Sequence, residues 1–183
     1  LIKDSVTAIY EPLGDLIAMK RAQFFESFGE YCAHVHRRCT KVRTLYSKNA
    51  PIQLQDIYVP ARFQVGEKHS YQDEHSESEL IHNFVKGQRI IVKGNGGSGK
   101  TIFLKHLWVT RLSDQSGRIP VLVELRRLND LQTVNLKAFC RSELRADILF
   151  KTGVFDKLCN EGKFEFIFDG FDEVTRDKRK IVE

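Results

Sequence analysis

Apolar side chains recur at steps of three and four over residues 13–47: Leu13, Ile17, Phe24, Phe28, Tyr31, Val35, Val42 and Leu45. That spacing puts them on one face and predicts a long helix or a helix pair. Residues 48–63 interrupt the period. Pro51 and Pro60 resist helix and push the preceding residue toward extended geometry. Residues 66–79 are polar, contain Gly66 and three serines, and read as an exposed loop. Residues 77–86 predict a short helix, with Leu80, Ile81, Phe84 and Val85 on its buried side.

From residue 89 the pattern changes. Residues 89–93 (RIIVK) form a short β-branched run, and a glycine-rich stretch follows. Residues 101–111 predict a helix with Ile102, Leu104, Leu107 and Trp108 inward. Residues 119–125 (IPVLVEL) predict a second strand, 136–150 a helix, and 164–168 (FEFIF) a third strand. Strands alternating with helices imply a parallel sheet covered on both faces. The chain divides into a helical region over 1–50, an extended linker with a short helix over 51–86, and an α/β domain over 87–183.

Composition adds limits. The 183 residues are 42% hydrophobic and 29% charged, and no apolar run approaches the roughly 20 residues that a membrane helix needs. The chain starts at Leu1 without a signal-peptide pattern, so it is expected to be a piece of something longer. Four scattered cysteines fit a reducing cytosol. The net charge of +5 is modest, and nucleic acid is not the expected partner. Arg37, Arg38, Lys41 and Arg43 read as a solvated helix face, with a partner surface as the alternative. Cys32, His36 and Cys39 share a helical face near His34. Zinc usually draws ligands from two elements, so core cysteines with a surface histidine are the expectation.

Residues 94–101 match G-x-x-x-x-G-K-[ST] at every position: Gly94, Asn95, Gly96, Gly97, Ser98, Gly99, Lys100, Thr101. Glycines let the chain turn tightly and bring bare backbone N–H groups against phosphate oxygens. The helix that follows aims its positive end at the same oxygens, and Ile102 in its first turn joins the expected binding set. Lys100 places an ammonium near the β- and γ-phosphates, and Thr101 offers a hydroxyl to Mg²⁺.

Residues 164–174 read FEFIFDGFDEV. The apolar strand delivers Asp169 to its C-terminal end, where ligands bind in open α/β sheets. A carboxylate there can hold Mg²⁺. Asp172 and Glu173 follow within one turn, and either could orient or deprotonate an attacking water. A P-loop and an acidic strand end together predict a nucleoside triphosphate bound with Mg²⁺.

The run Phe168-Asp169-Gly170-Phe171-Asp172-Glu173 resembles the Walker B box of the NACHT family of STAND NTPases. Related AAA+ ATPases put Glu directly after the metal-binding Asp, whereas NACHT proteins put a small residue there, as Gly170 does. Residues 120–126 resemble the second strand of NACHT domains. Residues 45–60, ending Asp56-Ile57-Tyr58-Val59-Pro60, resemble the segment upstream of the P-loop in bacterial NACHT proteins and their animal relatives. The resemblance implies a P-loop NTPase fold, a three-layer α/β/α parallel sheet. It implies a cytoplasmic switch, closed on ADP and self-associating on ATP, whose trigger is sensed outside this chain. It implies that Tyr58, Val59 and Pro60 help to hold the base, and that bacterial members act in innate immunity against phage. By the same resemblance a further strand, the arginine sensor and a winged-helix histidine belong after residue 183, so the sheet is expected to be incomplete here. The competing reading is an AAA+-like ATPase that turns over quickly to remodel a substrate. ATP is preferred over GTP without support from the P-loop, which does not read the base.

Overall fold

A computed structural model of the chain describes residues 26–42, 50–64, 74–85, 88–114, 117–151 and 153–182. Its centre is a parallel pair of strands, β5 (Ile119–Glu124) and β6 (Phe164–Asp169), in register from Ile119 opposite Phe164 to Glu124 opposite Asp169. Helix α4 (Lys100–Ser113) packs on both strands, and helix α1 (Gly29–Thr40) packs on α4. The inward faces of these four elements make the core around Trp108, Tyr31, Phe28, Val121 and Val123.

The free edge of β5 shows why this sequence can fold there. A strand edge leaves backbone groups in need of partners. Pro120 has no N–H to satisfy at that edge. Its carbonyl accepts from the Trp108 indole at 2.8 Å and from the Tyr31 hydroxyl at 3.1 Å. The Leu122 N–H donates back to the Tyr31 oxygen at 2.9 Å. Two aromatic side chains from two helices thus close the edge that β6 does not cover. Burial raises the Tyr31 phenol well above its ordinary range and keeps it a donor.

Helix α4 is tied to β6 by a buried ion pair. Arg111, 1% exposed, donates from Nε to Glu165 Oε2 at 2.7 Å and from Nη2 to Oε1 at 2.6 Å. Asp114 takes a third guanidinium hydrogen, and Arg118 reaches the same Glu165 carboxylate at 3.5 Å. Bidentate geometry satisfies both partners, which burial demands.

Several sequence expectations change. The first helix ends at Thr40, not at residue 47. Lys41 turns extended, and β1 (Lys41–Val42) pairs antiparallel with β2 (Ile52–Gln53). Thr40 Oγ1 donates back to the His36 carbonyl at 2.8 Å, one turn earlier in the last turn of the helix. The expected positions at Leu13, Ile17, Phe24, Arg43 and Leu45 lie outside the described residues. Arg38 is not merely solvated, because it pairs with Glu124 at the end of β5.

The 66–79 segment is not all loop. Its described part holds β4 (Glu74–Ser76), antiparallel to β3 (Arg62–Gln64), and then α3 (Glu77–Val85). A capping box starts that helix: Ser76 N–H donates to Glu79 Oε2 at 2.7 Å, and Glu79 N–H to Ser76 Oγ at 3.3 Å. Between β2 and β3 the chain makes one helical turn, α2 (Leu54–Ile57). The expected helix over 136–150 splits into α5 (Leu136–Glu143) and a 3-10 turn (Asp147–Phe150), parted by Arg145 at φ 49°. Further along are helices α6 (Val154–Asn160) and α7 (Arg176–Val182), and a 3-10 helix (Leu125–Asp130) follows β5.

Residues 89–93, expected as a strand, pair with no strand among the described residues. A strand exists through its ladder, and here an apolar cleft of about 790 Å³ separates residues 90–94 from β6. Phe168 and Ile91, exposed at 43% and 81%, mark the open surface on its two sides.

The buried pair yields a stability prediction. Glu165→Ala strands the Arg111 charge in the core and is expected to cost about 3 kcal/mol in urea unfolding. The double variant Arg111→Met, Glu165→Leu should recover most of that loss, because no buried charge remains.

Candidate functional site

The loop over residues 94–99 turns back on itself before α4. Gly97 has φ 79° and Gly99 φ 87°, left-handed values that an L side chain adopts only under strain. Gly99 is the N-cap of α4, and its carbonyl accepts the first helical bond from Phe103 N–H at 2.9 Å. A reverse turn closes the loop, with Ser98 N–H donating to the Asn95 carbonyl at 3.2 Å. Lys100 folds its ammonium over the loop, donating to the Gly94 carbonyl at 2.7 Å and the Asn95 carbonyl at 2.9 Å. The cation therefore sits over the loop backbone. The free N–H groups of the first turn of α4 add their positive end of the helix dipole.

Thr101 Oγ1 lies 3.2 Å from Asp169 Oδ1, although 68 positions separate the two. Asp169 ends β6, half-buried, and Gly170 then turns left-handed at φ 76°. A Cβ on Gly170 would stand 3.2 Å from the Glu173 carboxylate. Glycine thus serves twice there, for the backbone and for the side chain behind it. Asp172 and Glu173 lie exposed on a 3-10 turn (Phe171–Glu173). A hydroxyl and a carboxylate oxygen this close are hard donors that suit Mg²⁺.

Residues that carried no signal in the sequence hold this acidic turn. Asn129 grips it with both ends of its amide: Nδ2 donates to the Glu173 carbonyl at 2.9 Å, and Oδ1 accepts from Thr175 N–H at 3.0 Å. Arg179 donates to the carbonyls of Val174 and Asp172, at 2.7 and 2.5 Å, and its guanidinium covers the Phe171 ring. Lys178 Nζ donates to the carbonyls of Leu128, Asn129 and Leu131 at 2.6–3.1 Å. The basic run at 176–180 is thus in part a set of fasteners.

Of the upstream residues, Tyr58 and Val59 line a cavity of about 360 Å³ beside the loop, with Ile57, Ser98, Gly99 and Ile102. Pro60 is exposed and is not part of that lining. The Tyr58 ring stacks on His106 at 3.9 Å and 14°. Cys32 and Cys39 are buried in the core, and burial pushes both thiols up to about 12. Among the described residues no three His, Cys, Asp or Glu side chains gather as a metal site, and no helix is long and apolar enough to cross a membrane.

The loop backbone sets a contrast that thermal melts can read. Gly99→Ala is expected to lose about 1–2 kcal/mol, the cost of a left-handed non-glycine residue. Gly96, with φ not positive and open space around a built Cβ, should accept Ala with a change within about 0.5 kcal/mol.

The P-loop geometry and the acidic strand end agree with the comparison to known families. The NACHT domain model matches residues 88–182, more than half of the chain. No curated protein and no solved structure matched the chain. With the loop, the strand end and this match in hand, the chain belongs to the NACHT family of P-loop NTPases.

Proposed function

We propose that the chain is the nucleotide-binding part of a switch that takes ATP with Mg²⁺, hydrolyses it slowly and controls self-association. The observation that carries this reading is the 3.2 Å approach of Thr101 to Asp169 at the mouth of a loop with left-handed Gly97 and Gly99. Phosphate oxygens would replace the carbonyls of Gly94 and Asn95 as partners of Lys100. The N–H groups of residues 96–101 and the α4 dipole would stabilise the same charge. Thr101 and Asp169 would hold Mg²⁺, which when bound neutralises charge on the β- and γ-phosphates.

Asp172 and Glu173 are the groups we assign to orienting or deprotonating the attacking water. Gly170 stands where a fast AAA+ ATPase would have a glutamate, and both acidic side chains stand on an exposed turn. Slow turnover fits a nucleotide that sets a state. The base would enter beside Tyr58 and Val59, and ATP rather than GTP is our choice. A cytoplasmic role in bacterial defence against phage, set off by a ligand sensed outside this chain, rests on family resemblance.

The test starts with nucleotide released by denaturing the purified protein and separated by chromatography. Stoichiometric ADP is the expected result, and an empty site with rapid turnover of added ATP would favour the remodelling enzyme. Lys100→Ala should abolish binding. Asp169→Ala should remove the Mg²⁺-dependent part of the affinity and leave the Mg²⁺-free part.

A further inference from the structure

Glu77 is 5% exposed at the first position of α3, yet the cap of that helix is made by Ser76 and Glu79. Its carboxylate serves elsewhere. Oε2 accepts from Ala61 N–H at 3.0 Å and from the Tyr58 hydroxyl. Oε1 lies 2.7 Å from His106 Nδ1, within hydrogen-bond distance of the ring. Burial first, and then the Glu77 carboxylate, hold the Tyr58 phenol well above its ordinary range, so it stays a donor. A buried carboxylate is costly unless polar partners surround it, and three do here.

The contact joins three places: α3, which carries Glu77 itself, the 58–61 segment, and the helix that begins with Lys100 and Thr101. Tyr58 and Ala61 bracket Val59 and Pro60, so the carboxylate pins this short run at both ends. Val59 is left 79% exposed on a held backbone, beside Ile57, Ile102 and Gly99 in the smaller cavity. One face of the Tyr58 ring is taken by His106 and its hydroxyl by Glu77. Val59, Ile57 and Ile102 give that cavity an apolar wall beside the Tyr58 ring.

We propose that Glu77 is a positioning residue that fastens the base-side wall of the nucleotide pocket to the P-loop helix. The inference rests on the nucleotide reading above and adds to it. Glu77 sets affinity for the base and ribose end of the ligand, not for the phosphates, although it touches neither.

The experiment titrates the full chain with ATP and, separately, with inorganic tripolyphosphate, both with Mg²⁺, by calorimetry. Glu77→Gln replaces one acceptor oxygen with a donor group and is expected to weaken ATP about tenfold, the effect of one or two buried groups left unpaired. Tripolyphosphate affinity should not change. Tyr58→Phe keeps the ring stack, removes only the hydroxyl and should shift ATP in the same direction. It carries the test if Glu77→Gln does not fold. Lys100→Ala should weaken both ligands. Equal losses for ATP and tripolyphosphate in Glu77→Gln, or no loss for ATP, would overturn the positioning role. Wild-type chain that binds neither ligand would instead overturn the nucleotide reading itself.

Discussion

The buried pairing of Arg111 with Glu165 decides where the phosphate loop can meet its acidic partner. Helix α4 runs against β6, and the two are joined at both ends: Arg111 to Glu165, and Thr101 to Asp169. Ten helical residues at 1.5 Å span about 15 Å. Four strand residues at 3.3 Å span about 13 Å. The two lengths nearly agree, so anchoring one end brings the other into register without distortion. The exposed contact at 3.2 Å is weak by itself, while the pair at the far end is buried and bidentate. Geometry at the site is therefore set by a contact that takes no part in the chemistry.

This division explains what could be read in the sequence and what could not. The P-loop was legible because backbone conformation and phosphate chemistry both limit residue type at fixed spacing. Strands β5 and β6 were legible because apolar runs of that length, bounded by polar residues, have few other uses. Asp169 followed from the end of its strand. Asn129 was not legible: its two bonds reach Glu173 and Thr175, more than forty positions away, and neither end leaves a local pattern. Lys178 and Arg179 looked like ordinary helix-surface charge, because a donor to distant carbonyls has the same composition as a solvated one. The start of α3 was legible, since the helix expected over 77–86 does begin at Glu77, and Ser76 with Glu79 spells the capping box that fixes it.

The misread strand at 89–93 has a different cause. Its composition favours extended structure, and propensity alone predicts a strand. A strand needs a hydrogen-bonded neighbour, and β6 lies across an apolar cleft from it. Local preference favours extended backbone, but pairing is a tertiary fact. The end of α1 at Thr40 has the same logic. Periodicity placed Val42 on the helix face, and it is buried as expected, but on a strand that pairs with Ile52.

Glu77 and the acidic turn share one design, a polar group that holds a segment at two points. Glu77 takes Ala61 N–H and the Tyr58 hydroxyl on either side of Val59, while Asn129 takes the Glu173 carbonyl and Thr175 N–H on either side of Val174. Hydrophobic packing could hold these segments too, but it tolerates sliding, because apolar contact is not directional. Hydrogen bonds at both ends fix position along the chain. The segments held this way are the two that reach the pocket from outside the P-loop: one beside its apolar side cavity, one carrying the carboxylates. On the proposed reading the sheet and α4 would place the phosphates, and two polar clasps would place the rest of the pocket against them. On that same reading, affinity for the base and rate of hydrolysis could be altered separately, by changing residues that touch no ligand.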